Sequence, residues 1–321
     1  MSLSAYFGSL SVANLLSRMP AAAAQGMIWG LMALGVFITF RVLDIADLTV
    51  DGSFATGGAV TVMLLLAGWP SWAALLAAFA AGVLTGLVTG LLHTKLGIPA
   101  ILAGILTQFS LYSINLRIMT KANQPASIKK FGMFWEGPKG FLLSSLYVPQ
   151  AIAVGFVLAV VAIGLLYWYF GTEQGSAIRS TGANPAMSRA QGINIDAMKV
   201  LGLSLSNGMV ALSGGLMAQY QGFADINMGR GAIVIGLAAV IIGEVLCDAF
   251  FRKGCNFAVR LLFVVFGGVV YYAVMVLILW LKLDPNDLKL FTAVIVAAFL
   301  AVPYLKGQAK SSFHRLKKRG K

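Results

Sequence analysis

Charge is scarce in this chain. Charged residues make up 11% of its 321 positions, and only 11 residues are Asp or Glu. Soluble domains carry about a quarter charged residues. Apolar residues fill the gap, at 59% of the chain, and they come in long blocks. With a mean hydropathy of +0.85, this composition excludes a soluble globular domain and marks an integral membrane protein. Cys247 and Cys255 are the only cysteines, too few for a disulfide framework or a four-ligand metal set. His93 and His314, the two histidines, lie far apart and read as interfacial residues rather than metal ligands. A G-x-x-x-x-G-K-[ST] phosphate loop is missing; the nearest fragment, Gly307 to Lys310-Ser311, lacks the glycine before its lysine. Without that loop the chain has no means of drawing on ATP by itself. H-E-x-x-H and Ser/His/Asp sets are missing too, which argues against an intramembrane enzyme. Basic residues are absent from the first 17 positions, where a secretory signal carries its positive region. The segment "SAYFGSLSVANLLSR", within residues 1–19, therefore reads as a short interfacial helix with no cleavage.

A helix crosses the bilayer with about 20 mainly apolar residues. By that measure the chain offers about nine spans, at 20–40, 54–68, 71–92, 98–116, 148–170, 198–220, 231–247, 257–281 and 289–305. The expected fold class is an all-α polytopic membrane protein forming one domain over 1–321. The net charge of +13 could suggest nucleic acid, but its placement argues for none. The tail at 306–321 carries Lys306, Lys310, Arg315, Lys317, Lys318, Arg319 and Lys321 with no acid among them. Such a tail after a last span marks the cytoplasmic side and touches anionic membrane lipid. Counting spans backwards puts the tail, the 248–260 segment, the 171–197 segment and the link at Lys95 on that same side. One segment disagrees: 117–147 falls outside, yet holds Arg117, Lys121, Lys129, Lys130 and Lys139. Nine spans place residue 1 outside; a dipping N-terminal segment would place it inside.

The second and seventh spans are short, and each follows an unusual polar break. "IADLTVDGSFATGGAV" at 45–60 aligns with "FADINMGRGAIVIGLAAV" from Phe223, Ala46-Asp47 falling on Ala224-Asp225 and Gly58 on Gly236, at a constant offset of 178. Spans in matching positions five apart point opposite ways, so the expectation is two inverted repeats with broken helices. Unwound backbone within a membrane is tolerated only where protein or water satisfies it, and such breaks mark a transport pathway. Gly52, Gly57 and Gly58 are expected to serve the turn and close helix approach. Asp47, Asp51 and Asp225 sit at the breaks, where an unpaired carboxylate would cost several kcal/mol. Asp47 reads either as a pathway or hinge group or as a cap at a short helix start. Arg41 and Asp44 are expected to pair at the membrane edge. Glu244, inside an apolar run, is either a pathway carboxylate or a partner of Arg252 or Lys253. Gln108 and Asn115 lie two helical turns apart with Tyr112 between them, a polar stripe that lines a pathway or bonds a neighbouring helix.

The 171–197 segment is the most polar stretch between spans. Within it, Asn184 is an N-cap candidate, Pro185 suits the first helical position and Gly192 is a terminator, which predicts a short surface helix.

Here the chain resembles the permeases of the ribose and branched-chain amino-acid type ABC importers. The segment "STGANPAMSRAQGINIDAMKVLGLSLSNGMVALSGGL" is similar to that family's G-x-N-x-x-A-x-x-x-G-I approach to a late span, through Gly182, Asn184, Ala190, Gly192 and Ile193. Ala46 to Ser53 resemble its I-D-L-S-V-G-S stretch, with Asp51 extra relative to the sugar-type pattern, and "GIPAILAGILT" at 97–107 is similar to a family span start. "GLMALGVFITFRVLDIADLTVDGSF" and "LYSINLRIM" resemble a subgroup some of whose members are associated with tryptophan or tyrosine uptake. The resemblance covers roughly 26–300. It implies a permease subunit in the bacterial inner membrane, with no cofactor of its own, taking a small organic solute from an extracytoplasmic binding protein. It implies a permease homodimer or a related pair, and a cytoplasmic ATPase that binds the ATP. The 183–192 helix would then be the coupling helix, Asn184 and Arg189 making polar contacts to the ATPase and Met187 a packing contact. Asp47, Asp51, Asp225, Gln108, Asn115 and Glu244 are the pathway candidates. An ion-coupled secondary transporter is the alternative, with Asp47, Asp225 or Glu244 as the ion site. A scaffold or channel subunit explains neither the repeat nor the docking helix.

Overall fold

The computed structural model describes residues 12–126, 132–134, 137, 140–251 and 255–280, with scattered positions between 290 and 301. The apolar blocks form helices α1 (Val12–Phe37), α2 (Thr49–Leu66), α3 (Ser71–Thr94), α4 (Ala100–Met119), α5 (Val148–Gly171), α8 (Ile195–Gln221), α9 (Ala232–Phe250) and α10 (Phe257–Trp280). Between α5 and α8 lie α6 (Glu173–Ala183) and α7 (Pro185–Ala190), and β1 (Asn123–Pro125) pairs with β2 (Phe223–Asp225). Among the described residues, eight helices are long and apolar enough to cross a membrane. The ninth expected span, 289–305, the basic tail with its lipid contact, and His314 fall largely or wholly outside the described residues. Val12–Arg18, expected as a separate interfacial helix, is continuous with the first span and runs through Pro20.

Helix α8 is the central post, with a buried run from Gly208 to Ala211 and from Ser213 to Tyr220. Small residues set its neighbours close. A Cβ on Gly57 or Gly82 would run into the backbone of Ala211 or Asn207, and one on Gly86 into that of Leu203. Such backbone contact substitutes for the hydrophobic drive that lipid does not supply between helices. Gly57 and Gly58 thus pack α2 and do not turn it. The turn itself, 43–48, contains no glycine.

The contacts also fix directions. Ser53, Gly57 and Thr61 meet Asn207, Ala211 and Gly215, so α2 runs parallel to α8. Gly35 and Ile28 meet Ser206 and Ser213, so α1 runs antiparallel to it. Val36 meets Gly236, and Arg41 meets Glu244, so α9 descends with α1. The chain goes down α1, breaks and climbs α2; later it climbs α8, breaks and descends α9. The two broken units are inverted, as the sequence repeat predicts. α1 ends in a π-turn, Ile38–Val42, before the break. Residues 120–126 share a side with the end of α8 through the β1–β2 ladder, opposite α6 and α7. Arg117 and Lys121 stay on that side, while Lys129, Lys130 and Lys139 are outside the described residues.

The largest core cluster joins α1, α8 and parts of α5, α9 and α10. Trp29 stacks on Phe54 at 4.8 Å and on Tyr272 at 5.9 Å, binding α1 to α2 and α10.

Candidate functional site

Asp47 and Asp225 each bend the chain in the same way. Asp47 Oδ1 accepts from the Thr49 backbone N–H at 2.9 Å, and Asp225 Oδ1 from that of Asn227 at 2.7 Å. Both are side-chain turns two residues long, the local reason the chain leaves the helix there. Their surroundings differ. Asp225 is at the end of α8, where Oδ2 accepts from Asn123 Nδ2 at 3.3 Å across the strand pair. Asp47 is buried, and its Oδ2 accepts from Asn207 Nδ2 at 2.7 Å. Asn207 falls at the middle of α8, so the first break carries Asp47 back to mid-helix depth.

A polar network fixes it there. Asn207 Nδ2 also donates to the Leu203 carbonyl at 3.0 Å, and Asn207 Oδ1 accepts from Ser53 Oγ at 2.6 Å. The hydroxyls of Ser53 and Thr85 lie 2.7 Å apart, and those of Thr49 and Thr89 2.8 Å, with Thr89 Oγ1 donating to Thr107 at 3.0 Å. Each Asp47 oxygen finds one donor, which offsets part of the cost of burying the group in an apolar bundle.

Asp51, four residues on, reaches the other repeat. Its Oδ2 accepts from the Gly231 N–H and its Oδ1 from the Ile233 N–H, both at 3.0 Å. Gly231 holds φ +84, the left-handed turn that opens α9. The N-termini of α2 and α9 therefore meet head to head. Each presents unpaired N–H groups and the positive end of a helix dipole, and the Asp51 carboxylate lies between them. The two acids of the first break have separate tasks: Asp47 anchors α2 to α8, and Asp51 caps α9.

Beside this junction is a cavity of about 330 Å³ lined by Asp51, Gln108, Tyr112, Asn115, Ile226 and Arg230, among others. It falls in the range of roughly 300–1,000 Å³ usual for small-molecule sites. The stripe of Gln108, Tyr112 and Asn115 on α4 thus faces one hollow. Asn115 is buried, and its Oδ1 has no hydrogen-bond partner among the described residues. Such an acceptor costs about 1–3 kcal/mol when nothing donates to it, a feature that marks functional sites.

Of the sequence-predicted pathway residues, Asp51, Gln108 and Asn115 come together here, with Asp47 in the network behind them. Asp225 and Glu244 do not join them. Glu244 Oε1 pairs with Arg41 Nε at 2.7 Å, near the α6 side of the bundle. That corrects one expectation: Arg41 pairs with Glu244 rather than with Asp44, because α9 descends beside the end of α1. Arg252 and Lys253 are outside the described residues. Cys247 and Cys255 are joined in a disulfide, Cα–Cα 6.4 Å, linking the end of α9 to the start of α10. The sequence reading missed Arg230, which the motif Gly229-Arg230-Gly231 flags as a charge inside a break, and Asn207, the amide among small residues in "SLSNGMVALSGG".

On the opposite part of the molecule α7 matches its expectation. Asn184 Oδ1 accepts from the Met187 N–H at 3.0 Å, Pro185 starts the helix, and Gly192 turns at φ +81. Met187 and Arg189 are exposed, Met187 at 58%. Asn184 Oδ1 is engaged as the cap. The α6 helix was not foreseen; Thr172, whose Oγ1 accepts from the Gly175 N–H at 3.3 Å, was its signal.

Among the described residues, eight helices fit to cross a membrane, two inverted broken units meeting at a polar cavity, and a capped helix on one face define a membrane permease. The family described as "Branched-chain amino acid transport system / permease component" matches residues 19–303. The chain is 37% identical over 292 residues to the "Tyrosine transport system permease protein" of Clostridioides difficile (strain R20291), covering 91% of this chain and 93% of that protein. It is 35% identical to "Uncharacterized protein RP368" of Rickettsia prowazekii (strain Madrid E), covering 86% of this chain and 94% of that one. Among solved structures, "PsaBC from Streptococcus pneumoniae in complex with Fab" superposes with a TM-score of 0.52 at 13% identity, over 91% of this chain and 95% of that chain, a likeness of fold alone. The chain belongs to the branched-chain amino acid transport system permease family. It is the permease subunit of an ABC importer, a multi-pass protein of the bacterial inner membrane.

Proposed function

We propose that this permease imports an amino acid, and that the cavity at the meeting of the two broken units is its translocation site. The observation that carries the reading is the pairing of unlike groups around that cavity. Arg230 offers a guanidinium for a carboxylate, while the free Oδ1 of Asn115, with Gln108, offers acceptors for an ammonium. Tyr112 and Phe109 add aromatic surface for a side chain, and the similarity to a tyrosine permease agrees with this. Asp51 holds the site's wall in place, and Asp47 supports it from behind. Asp225 and Glu244 have structural partners of their own and are left out of the pathway.

The apolar face of α4 that leads into the cavity is uncovered, with Phe109 71% exposed. A second permease copy packed there closes the pathway, so the working unit is a homodimer. In this reading the α6–α7 side is cytoplasmic. There α7 is the coupling helix: Met187 packs into a groove on a separate ATPase, which binds and hydrolyses the ATP, and Arg189 makes the polar contact. An extracytoplasmic binding protein delivers the solute at the opposite side.

The test is affinity purification of the tagged chain in mild detergent, with and without Arg189→Glu. Recovery of an ATPase subunit that the charge reversal removes supports the assignment. Uptake in proteoliposomes driven by an ion gradient with no ATPase present would overturn it.

A further inference from the structure

Away from the translocation cavity, a groove of about 690 Å³ opens between α5, α6 and the start of α10. Two arginines line it, Arg179 of α6 and Arg260 of α10, and none of its lining residues is acidic. A neighbouring hollow of about 820 Å³ shares both arginines and extends to Arg41 and Asp44. In that hollow Arg41 is already neutralised by Glu244. Among the described residues no carboxylate forms an ion pair with Arg179 or Arg260. Arg179 instead lies over the Phe257 ring, 5.2 Å from its centroid, which orients the guanidinium without discharging it. Both arginines border the first groove, whose lining holds no acid to offset them.

We propose that this groove binds the phosphate headgroup of an anionic phospholipid. The chemistry called for is a phosphate oxygen shared between two guanidiniums. A lipid rather than a free phosphate is indicated by what the groove adjoins. Its rim carries Tyr167 and Trp168, 50% and 70% exposed, the aromatic pair expected at the level of lipid headgroups. From that rim the exposed residues of α5, Leu165, Val161 and Val157, continue toward the bilayer interior, along the path an acyl chain would follow. Basic pockets between membrane helices take lipid headgroups by this combination of charge and adjoining apolar surface. The site is independent of the solute proposed above.

The test is native mass spectrometry of the full-length chain purified in detergent and titrated with phosphatidylglycerol or phosphatidylcholine. The wild type is expected to retain phosphatidylglycerol at least about tenfold better than phosphatidylcholine. The Arg179→Gln/Arg260→Gln double variant is expected to lose that preference while keeping its elution volume on size exclusion, and Arg179→Lys/Arg260→Lys is expected to restore much of it. If the glutamine variant does not elute as wild type, the single Arg260→Gln variant carries the comparison. Equal retention of the two lipids by the wild type overturns the proposal, as does a phosphatidylglycerol preference that survives the double substitution. Displacement of the lipid by inorganic phosphate at matched concentration also overturns it, because the acyl path would then contribute nothing. So does loss of ATPase recovery with lipid retention unchanged, which would make the groove a protein contact.

Discussion

Asp51→Ala removes the side chain that caps the N-terminus of α9. Two backbone donors, Gly231 N–H and Ile233 N–H, lose acceptors now 3.0 Å away. A hydrogen bond to a charged group contributes about 1.5–3 kcal/mol net. Asp51 is half-buried and borders the cavity, so water takes up part of the loss, and the cost of opening the first turn of α9 falls by about 2 kcal/mol, in line with loss of a good N-cap. At about 1.4 kcal/mol per factor of ten, the amides of 231–235 should exchange with deuterium roughly 30-fold faster, read by mass spectrometry on the protein in detergent. Asp51→Asn keeps one acceptor but turns an amide N–H toward a backbone N–H, and should give about half the free-energy effect. Solute uptake should fall in both variants, with binding of the ATPase unchanged. Unaltered exchange at 231–235 in Asp51→Ala would refute the cap, and with it the claim that this carboxylate sets the wall of the translocation site.

Other consequences follow from the same geometry. Asn207→Ala strands Asp47 Oδ2 in the bundle interior and leaves the Ser53 hydroxyl to Thr85, so thermal unfolding in detergent should show a loss of about 3 kcal/mol; a double-mutant cycle with Asp47→Ala should be strongly non-additive, and simple additivity would show the two groups to be uncoupled. Gly57→Ala puts a methyl into the Ala211 backbone and should sharply lower folded yield, whereas Gly171→Ala, with nothing near its Cβ, should be neutral. Arg41→Gln and Glu244→Gln should each cost no more than about 1 kcal/mol, because the pair is partly exposed, and both should retain uptake; loss of uptake in Glu244→Gln alone would return that carboxylate to the pathway.

Much of this protein is legible in its sequence because the membrane imposes simple demands. Long apolar blocks can satisfy their backbone in lipid only as helices, so the span positions follow from composition, and the two polar interruptions stand out against it. The α7 helix was legible for a local reason: Asn184, Pro185 and Gly192 each act within a few residues of themselves. The polar stripe of α4 was equally local, since helical periodicity alone puts Gln108, Tyr112 and Asn115 on one face. What the stripe faces was not local. The sequence contains both Asp51 and Gly231, 180 residues apart, but nothing in either neighbourhood says that one caps the other. Likewise the long-range partner of each carboxylate depended on which helix lay beside it: Asp47 found Asn207 on α8, and Glu244 found Arg41 at the end of α1. The sequence by itself determined the solvent, the elements and the places where helices break. Only the tertiary structure decided which of the broken ends meet, because hydrogen bonds and ion pairs form between groups that are close in space, and inverted packing brings together segments that the chain keeps far apart.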